Sequence, residues 1–406
     1  MNKQLQDRFI KYVKIDTESV PDVEQYPSSD KQKDLLRLLL NELQQLGVAS
    51  RMDEQHGYVY ATIPANTESQ YALGFIAHVD TSCAVSGKNV KPIITPNYDG
   101  GDIHLAEGRV LSPVEFAELA QKTGKTIISS DGTTLLGADD KAGIAIIMQL
   151  VETLATHPEI PHGTIKIAFT PDEEVGRGTD YFDIEGFGAN GAYTIDGGGV
   201  GELEYENFNA ASAKVTVHGM SVHPGTAKNV MLNANLVLME LQSMLPVEQN
   251  PRYTSGYEGF YHLDSMQGTC DTATAYYIIR DHDRPKFKAK KRLFGEIVEF
   301  LNKKYGEDTV EVEINDSYYN MKERIWPHIH LVDNARLAME RAGVTPKVVP
   351  IRGGTDGARL SYEGLPCPNL FTGGYNCHGR YEYAVLEEME QCLQVLLNLV
   401  DLYKDR

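Results

Sequence analysis

Carboxylates and histidines recur in this chain where apolar runs end, the places at which metal-binding side chains would converge. Four segments carry them: Ile76-Ala77-His78-Val79-Asp80, Gly137-Ala138-Asp139-Asp140-Lys141, Pro171-Asp172-Glu173-Glu174-Val175-Gly176 and Thr194-Ile195-Asp196-Gly197-Gly198-Gly199. A fifth, Gly373-Gly374-Tyr375-Asn376-Cys377-His378-Gly379, lies near the C-terminus. Two histidines and at least three carboxylates are enough for two zinc-like ions with positions left open to water. The chemistry implied is hydrolysis at a two-metal centre.

Each cluster has its own physical logic. His78 and Asp80 are two residues apart on an extended run, so they point the same way. Asp80 can orient the imidazole through its other N–H or be a ligand itself. Asp139 and Asp140 open a helix-like run, where acids are ordinary caps, and spacing does not choose which of them reaches a metal. The adjacent acids Glu173 and Glu174 repel unless cations compensate them. One of the pair could ligate while the other stays free as a general base. The glycines after Asp196 let backbone and ligands approach closely.

The elements that position these groups alternate. Leucines 35, 36, 39, 43 and 46 share one face of a helix over residues 31–46, stopped by Gly47. Strands near 71–77 and 164–170 flank a helix over 141–156, a rhythm that predicts a mixed, mostly parallel α/β sheet covered by helices. His78, Glu173 and Asp196 then fall at the carboxyl ends of strands, where ligands collect in such sheets. From about residue 208 the pattern reads strand, helix, two strands, helix, strand, an inserted ferredoxin-like α+β module. The expected organisation is a first catalytic part over 1–207, an inserted lid over 208–320 and a second catalytic part over 321–406.

These clusters resemble those of the co-catalytic zinc metallopeptidases that include carboxypeptidase G and the succinyl-diaminopimelate desuccinylases, proteins of dizinc exopeptidase fold. Longer strings resemble the tripeptide-aminopeptidase branch of that family. Among them are Asn97-Tyr98-Asp99-Gly100-Gly101-Asp102, Phe169 to Gly176, Val222-His223-Pro224-Gly225-Thr226-Ala227-Lys228, Gly256 to His262 and Pro350 to Gly357. The resemblance implies removal of the N-terminal residue from small peptides. It makes Asp139 the bridging ligand, His78 and Asp196 ligands of one zinc, and Glu174 and His378 ligands of the other. It makes Glu173 the general base on the shared water, Asp80 the partner of His78, and His223 a stabiliser of the oxyanion. Arg280, Asn320 and Arg352 would hold the peptide backbone or its C-terminal carboxylate. Manganese or cobalt could replace zinc in so carboxylate-rich a site.

Composition fits a large globular enzyme. The chain has 406 residues, 42% hydrophobic and 23% charged, enough for two domains and a sizeable core. Its net charge of −19 and lack of a long basic run argue against nucleic acid or anionic membranes as partners. Five cysteines with no CxxC spacing read as reduced thiols of a cytoplasmic protein. The start of the chain lacks the basic-then-apolar pattern of a secretory signal, and no apolar run approaches membrane-spanning length. The lid's strand edge and helix faces leave a homodimer open. Competing functions are a dipeptidase or N-acyl amino acid hydrolase of the same chemistry, a metal- or peptide-binding protein without turnover, and a dinuclear phosphoesterase. The last is disfavoured because no glycine-rich phosphate loop is present.

Overall fold

The computed structural model describes residues 3–406. Its main sheet has eight strands. In chain order they are β1 (Ala49–Asp53), β2 (Tyr58–Ile63), β3 (Ala72–His78), β4 (Thr164–Thr170), β5 (Gly191–Gly197), β6 (Glu202–Glu204), β11 (Lys347–Val348) and β12 (Asn369–Phe371), with β7 to β10 lying in the insert described below. Their spatial order is β1-β2-β4-β3-β5-β12-β6-β11. The four central strands β4, β3, β5 and β12 are parallel, while β1 and β2 pair antiparallel at one edge. Residues of β3 are buried from Leu73 to His78, as expected of a strand covered on both faces.

Helices supply that cover. The sequence Ala138–Thr156 forms α3, almost wholly buried, packed on β3 and β5 and under two outer helices, α1 (Lys3–Val13) and α8 (Leu386–Tyr403). A helix apolar all round belongs inside a protein, which explains its lack of a polar stripe. The opposite face is filled by Tyr58, Tyr60, Ile76, Ala168, Phe182, Phe187 and Leu360, the last from α7 (Asp356–Glu363), which follows α6 (His330–Arg341) in the chain. The leucines of the first predicted helix lie on α2 (Gln32–Gln45), with Leu35, Leu36, Leu39 and Leu43 buried. A smaller sheet of Ile93–Thr95, Ile127–Ser129, Gly374–Tyr375 and Tyr383–Val385 brackets the loop that carries His378.

The chain divides into two compact units. One comprises the chain up to Tyr205 with Glu323–Val349 and Thr355–Arg406; the other is Glu206–Lys322 with Pro350–Gly354. The short loop Pro350–Gly354, and Arg352 with it, therefore groups with the insert, whereas the sequence reading drew it into the second catalytic part.

The second unit is an antiparallel sheet of β7 (Asn209–His218), β8 (Phe260–Gly268), β9 (Thr272–Asp281) and β10 (Val310–Tyr318), in the order β8-β9-β7-β10. Helices α4 (Ala234–Met244) and α5 (Arg284–Tyr305) complete the strand-helix-strand-strand-helix-strand order expected of a ferredoxin-like module. Its core joins Val215, Val217, Leu238, Leu241, Phe294 and Leu301. Asp283 caps α5 by accepting from the Lys286 amide, and Pro285 follows at a position where no amide hydrogen is needed.

Candidate active site

Within the first unit the ligand-type side chains meet at the carboxyl ends of the parallel strands. His78 ends β3; its Nε2 lies 2.9 Å from Asp139 Oδ1 and 3.3 Å from Asp196 Oδ1. The other oxygen of Asp139 lies 3.1 Å from His378 Nε2, which is itself 2.9 Å from Glu174 Oε2. One carboxylate thus faces two histidines through separate oxygens, and each histidine has a further acid at its side.

Asp139 and Asp140 separate clearly here. Asp140 Oδ1 accepts from the Gly143 amide and Oδ2 from the His78 amide, so it caps α3 and ties it to β3. His78, Asp140 and Asp196 also lie close enough to form a ligand group of their own, beside His78, Asp139 and Glu174. The hydrogen bonds of Asp140 to backbone favour Asp139 as the group free to reach two ions.

Asp80 is fully buried and does two jobs. Its Oδ1 lies 3.3 Å from His78 Nδ1, on the side away from Asp139. Both of its oxygens also accept backbone amides, from Glu173 at 3.0 Å and from Glu174 at 3.1 Å. The Asp80 carbonyl, 3.1 Å from His78 Nδ1, orients the ring together with the carboxylate, which also shapes the turn that bears the two glutamates.

Electrostatics show a site short of positive charge. Burial, then the facing Asp196, drives Glu173 well above the ordinary carboxylate range. Burial pushes Asp196 up to about 6 and Glu174 up to about 7. Burial works against an ionised Asp139, yet hydrogen bonds from His378 and His78 pull it below the usual range. Hydrogen bonds to Asp139 and Glu174 raise His378 to about 11. Burial opposes charge on His78, but Asp196 and Asp139 hold its pKa well above normal. Glu174 Oε1 is buried without a hydrogen-bond partner among the described residues. Crowded acids, histidines forced toward the cationic form and an unpaired buried oxygen are what divalent cations would resolve. Nitrogen and oxygen donors of this kind suit zinc, manganese or cobalt.

Three buried groups that spacing did not single out support this arrangement. Glu382 accepts from the amides of Leu136, Gly137 and Asp139 and so holds the Asp139 loop. Asp356 accepts from the Thr170 hydroxyl at the end of β4. Glu388, buried on α8, takes both Lys122 and Lys125 and the Tyr375 hydroxyl, which fixes the base of the His378 loop. Apart from Tyr375, which is 13 residues from Glu388, their partners lie far away in sequence, so no local pattern could reveal them.

The remaining expected residues belong to the second unit. His223 sits on an exposed turn, its Nδ1 accepting from the Gly225 amide. The Arg280 guanidinium lies over the Tyr318 ring. Asn320 is buried and bonded to the Asn207 amide and the His282 carbonyl. Arg352 donates to the carbonyls of Gly256 and Glu258 and lies over Phe208 and Phe260. Asn320 and Arg352 thus serve the unit's own structure.

Known proteins share these features. Residues 205–309 match the peptidase dimerisation domain. A Peptidase T from Alkaliphilus oremlandii is 54% identical over 406 residues, covering 99% of each chain. The crystal structure of aminopeptidase PepT from Bacillus cereus superposes with a TM-score of 0.80 at 25% identity, over 99% of this chain and 98% of that one. A dinuclear metal-binding peptidase of the M20 family from Bacillus subtilis shares the fold, with a TM-score of 0.64 at 14% identity over 99% of each chain. The fold and the converging ligand groups together define a metallopeptidase of the M20 type. Full-length identity narrows this further: the chain belongs to the Peptidase T family.

Proposed function

We propose that this chain is a metal-dependent aminopeptidase that releases the N-terminal residue of tripeptides. The observation that carries the reading is Asp139, whose two oxygens face His78 and His378 separately, with the glutamate pair held beside them on Asp80. Asp139 is assigned as the bridging ligand, His78 and Asp196 as ligands of one ion, and Glu174 and His378 as ligands of the other. The assigned metal is zinc, with manganese or cobalt as substitutes. When bound, such ions polarise a carbonyl and acidify a water.

The chain's own groups do the rest. Glu173 takes a proton from the attacking water at its carboxylate and delivers it to the departing amine. Asp80 holds the His78 ring and the Glu173 amide in fixed relation. His223 is assigned to the oxyanion. Arg280, whose guanidinium lies over an aromatic ring and not on its own unit's carbonyls, is assigned to the peptide carboxylate ahead of Asn320 and Arg352. A homodimer through the insert is supported by the match of residues 205–309 to a dimerisation domain. Five free cysteines support a cytoplasmic setting. No helix among the described residues is long and apolar enough to cross a membrane.

Hydrolysis of dialanine, trialanine, tetra-alanine and N-acetylated trialanine by metal-loaded protein tests the reading. The expected result is cleavage of free trialanine, releasing one N-terminal alanine. Cleavage mainly of dialanine or of the acetylated peptide would transfer the protein to the dipeptidases or acylases. Two bound metals without turnover would leave only binding.

A further inference from the structure

Between α1 and α2 the chain runs without helix from Lys14 to Lys31, a stretch whose sequence reads only as a connecting loop. In the structure it visits three of the segments that carry the site. The Ile15 carbonyl accepts the buried Lys141 ammonium at 2.7 Å, just beyond Asp139 and Asp140. The Thr17 carbonyl accepts the Thr81 amide, and the Ser19 amide donates to the Thr81 carbonyl, just beyond His78 and Asp80. The segment ends against Asp172, the residue before Glu173.

That last contact is the most developed. Asp172 is fully buried, and three donors meet its carboxylate: the Ser28 amide at 2.6 Å, the Ser28 hydroxyl at 2.5 Å and the Gln32 amide nitrogen at 2.6 Å. The Gln32 side-chain oxygen accepts the Asp172 amide in return, at 3.0 Å. Gln32 is itself fully buried, so this pair of bonds is its environment rather than a surface accident. Asp172 also has a φ of +54°, a left-handed conformation that a non-glycine residue keeps only when its surroundings enforce it. Beyond the turn, the Arg177 guanidinium laces back to the carbonyls of Val23 and Gln25.

We propose that residues 14–32 form a strap that holds the ligand-bearing loops in register, and that Gln32, acting through Asp172, is a positioning residue for Glu173. This rests on Glu173 being the general base. Gln32 and Ser28 satisfy the Asp172 carboxylate with uncharged donors, so the left-handed residue and the turn after it stay fixed. Loss of those donors leaves a buried carboxylate unsatisfied, and the turn relaxes to find water. A shift of about 1 Å in a catalytic group costs up to roughly a hundredfold in rate.

The test uses full-length, metal-loaded protein with trialanine as substrate, reading kcat, KM, bound metal and Tm. Gln32→Glu places two carboxylates face to face. Its kcat is expected to fall about 10- to 100-fold with KM near normal and both metals retained. Adding Asp172→Asn to Gln32→Glu exchanges donor and acceptor and should recover most of the lost kcat. Arg37→Ala, on the exposed face of α2, should change none of these readings. An unchanged kcat in Gln32→Glu overturns the proposal. So does a loss that follows metal content or Tm and is not recovered by the double variant. Should Gln32→Glu fail to fold, Ser28→Ala removes the hydroxyl donor to Asp172 together with the acceptor of the Val20 amide within the strap: lowered kcat with normal metal supports the strap, and normal kcat overturns it. Glu173→Gln run in parallel separates the two readings. If it keeps full kcat, the base assignment fails and the proposal with it; if it is inactive while Gln32→Glu is normal, the strap alone fails.

Discussion

Paired surface acids of the insert and the central acids of the first unit behave in opposite ways. On the insert, Glu240 is held below its ordinary pKa by hydrogen bonds from Lys304 and Tyr305. Asp316 is likewise lowered, Lys291 and Tyr319 outweighing partial burial. At the strand ends of the first unit, Glu173, Glu174 and Asp196 are raised by burial with no lysine or arginine among the causes. Lys141 is close by but spends its ammonium on the Ile15 carbonyl. The difference teaches where positive charge is missing. A surface acid is paired by a side chain of the same domain, whereas the central acids are arranged for cations that come from outside.

That contrast can be broken most severely at its centre. Asp139→Asn should abolish trialanine hydrolysis and lower bound metal, read by metal analysis alongside turnover. Glu173→Gln should reduce kcat by about 10²- to 10⁴-fold while metal stays near normal. Parallel loss of both would instead make Glu173 a ligand. Asp80→Asn should lower metal affinity or activity by about 10- to 100-fold, because it loosens both the His78 ring and the glutamate turn.

Stability sharpens the comparison further. A Cβ at Gly143 would sit 1.9 Å from the Ile195 carbonyl and 2.5 Å from Asp140 Oδ1. Gly143→Ala should therefore destabilise by about 1–3 kcal/mol in denaturant melts and disturb Asp196, the next residue. pH acts in a definite direction. In metal-free protein Asp196 is raised to about 6, Glu174 to about 7 and His378 to about 11. Groups raised on folding favour the native state below their unfolded pKa and lose that contribution as pH rises through the folded value. The Tm of metal-free protein should thus fall from pH 5 to pH 8, and bound metal should flatten the slope in calorimetry. At the small end, Lys304→Ala on the insert should leave Tm, kcat and metal content unchanged.

Much of this was legible in the order of residues. Apolar runs of strand length marked β3 and β4, the leucine spacing marked α2, and the acids and histidines stood where those runs ended. The ferredoxin-like insert could be read because β7 and β9 alternate between buried and more exposed residues and each of its helices has its own period. What stayed hidden depends on contacts across the chain. Asp139 lies 243 residues from the Glu382 carboxylate that accepts its amide, and Asp172 lies 140 residues from Gln32.

The sequence by itself pointed to groups of a metal-binding kind and to the strand ends on which His78, Glu173 and Asp196 would stand, because side-chain chemistry and local periodicity are properties of short segments. Spacing left Asp139 and Asp140 alike, and the tertiary structure decided that Asp139 faces both histidines while Asp140 accepts the Gly143 and His78 amides, because a cap shows itself only when the neighbouring strand is in place. It also decided that Asp80 serves a histidine and a turn together, and that Arg352 is bound to its own unit's carbonyls. These outcomes follow from geometry between distant segments, which hydrogen-bond direction and burial fix only once the sheet has assembled.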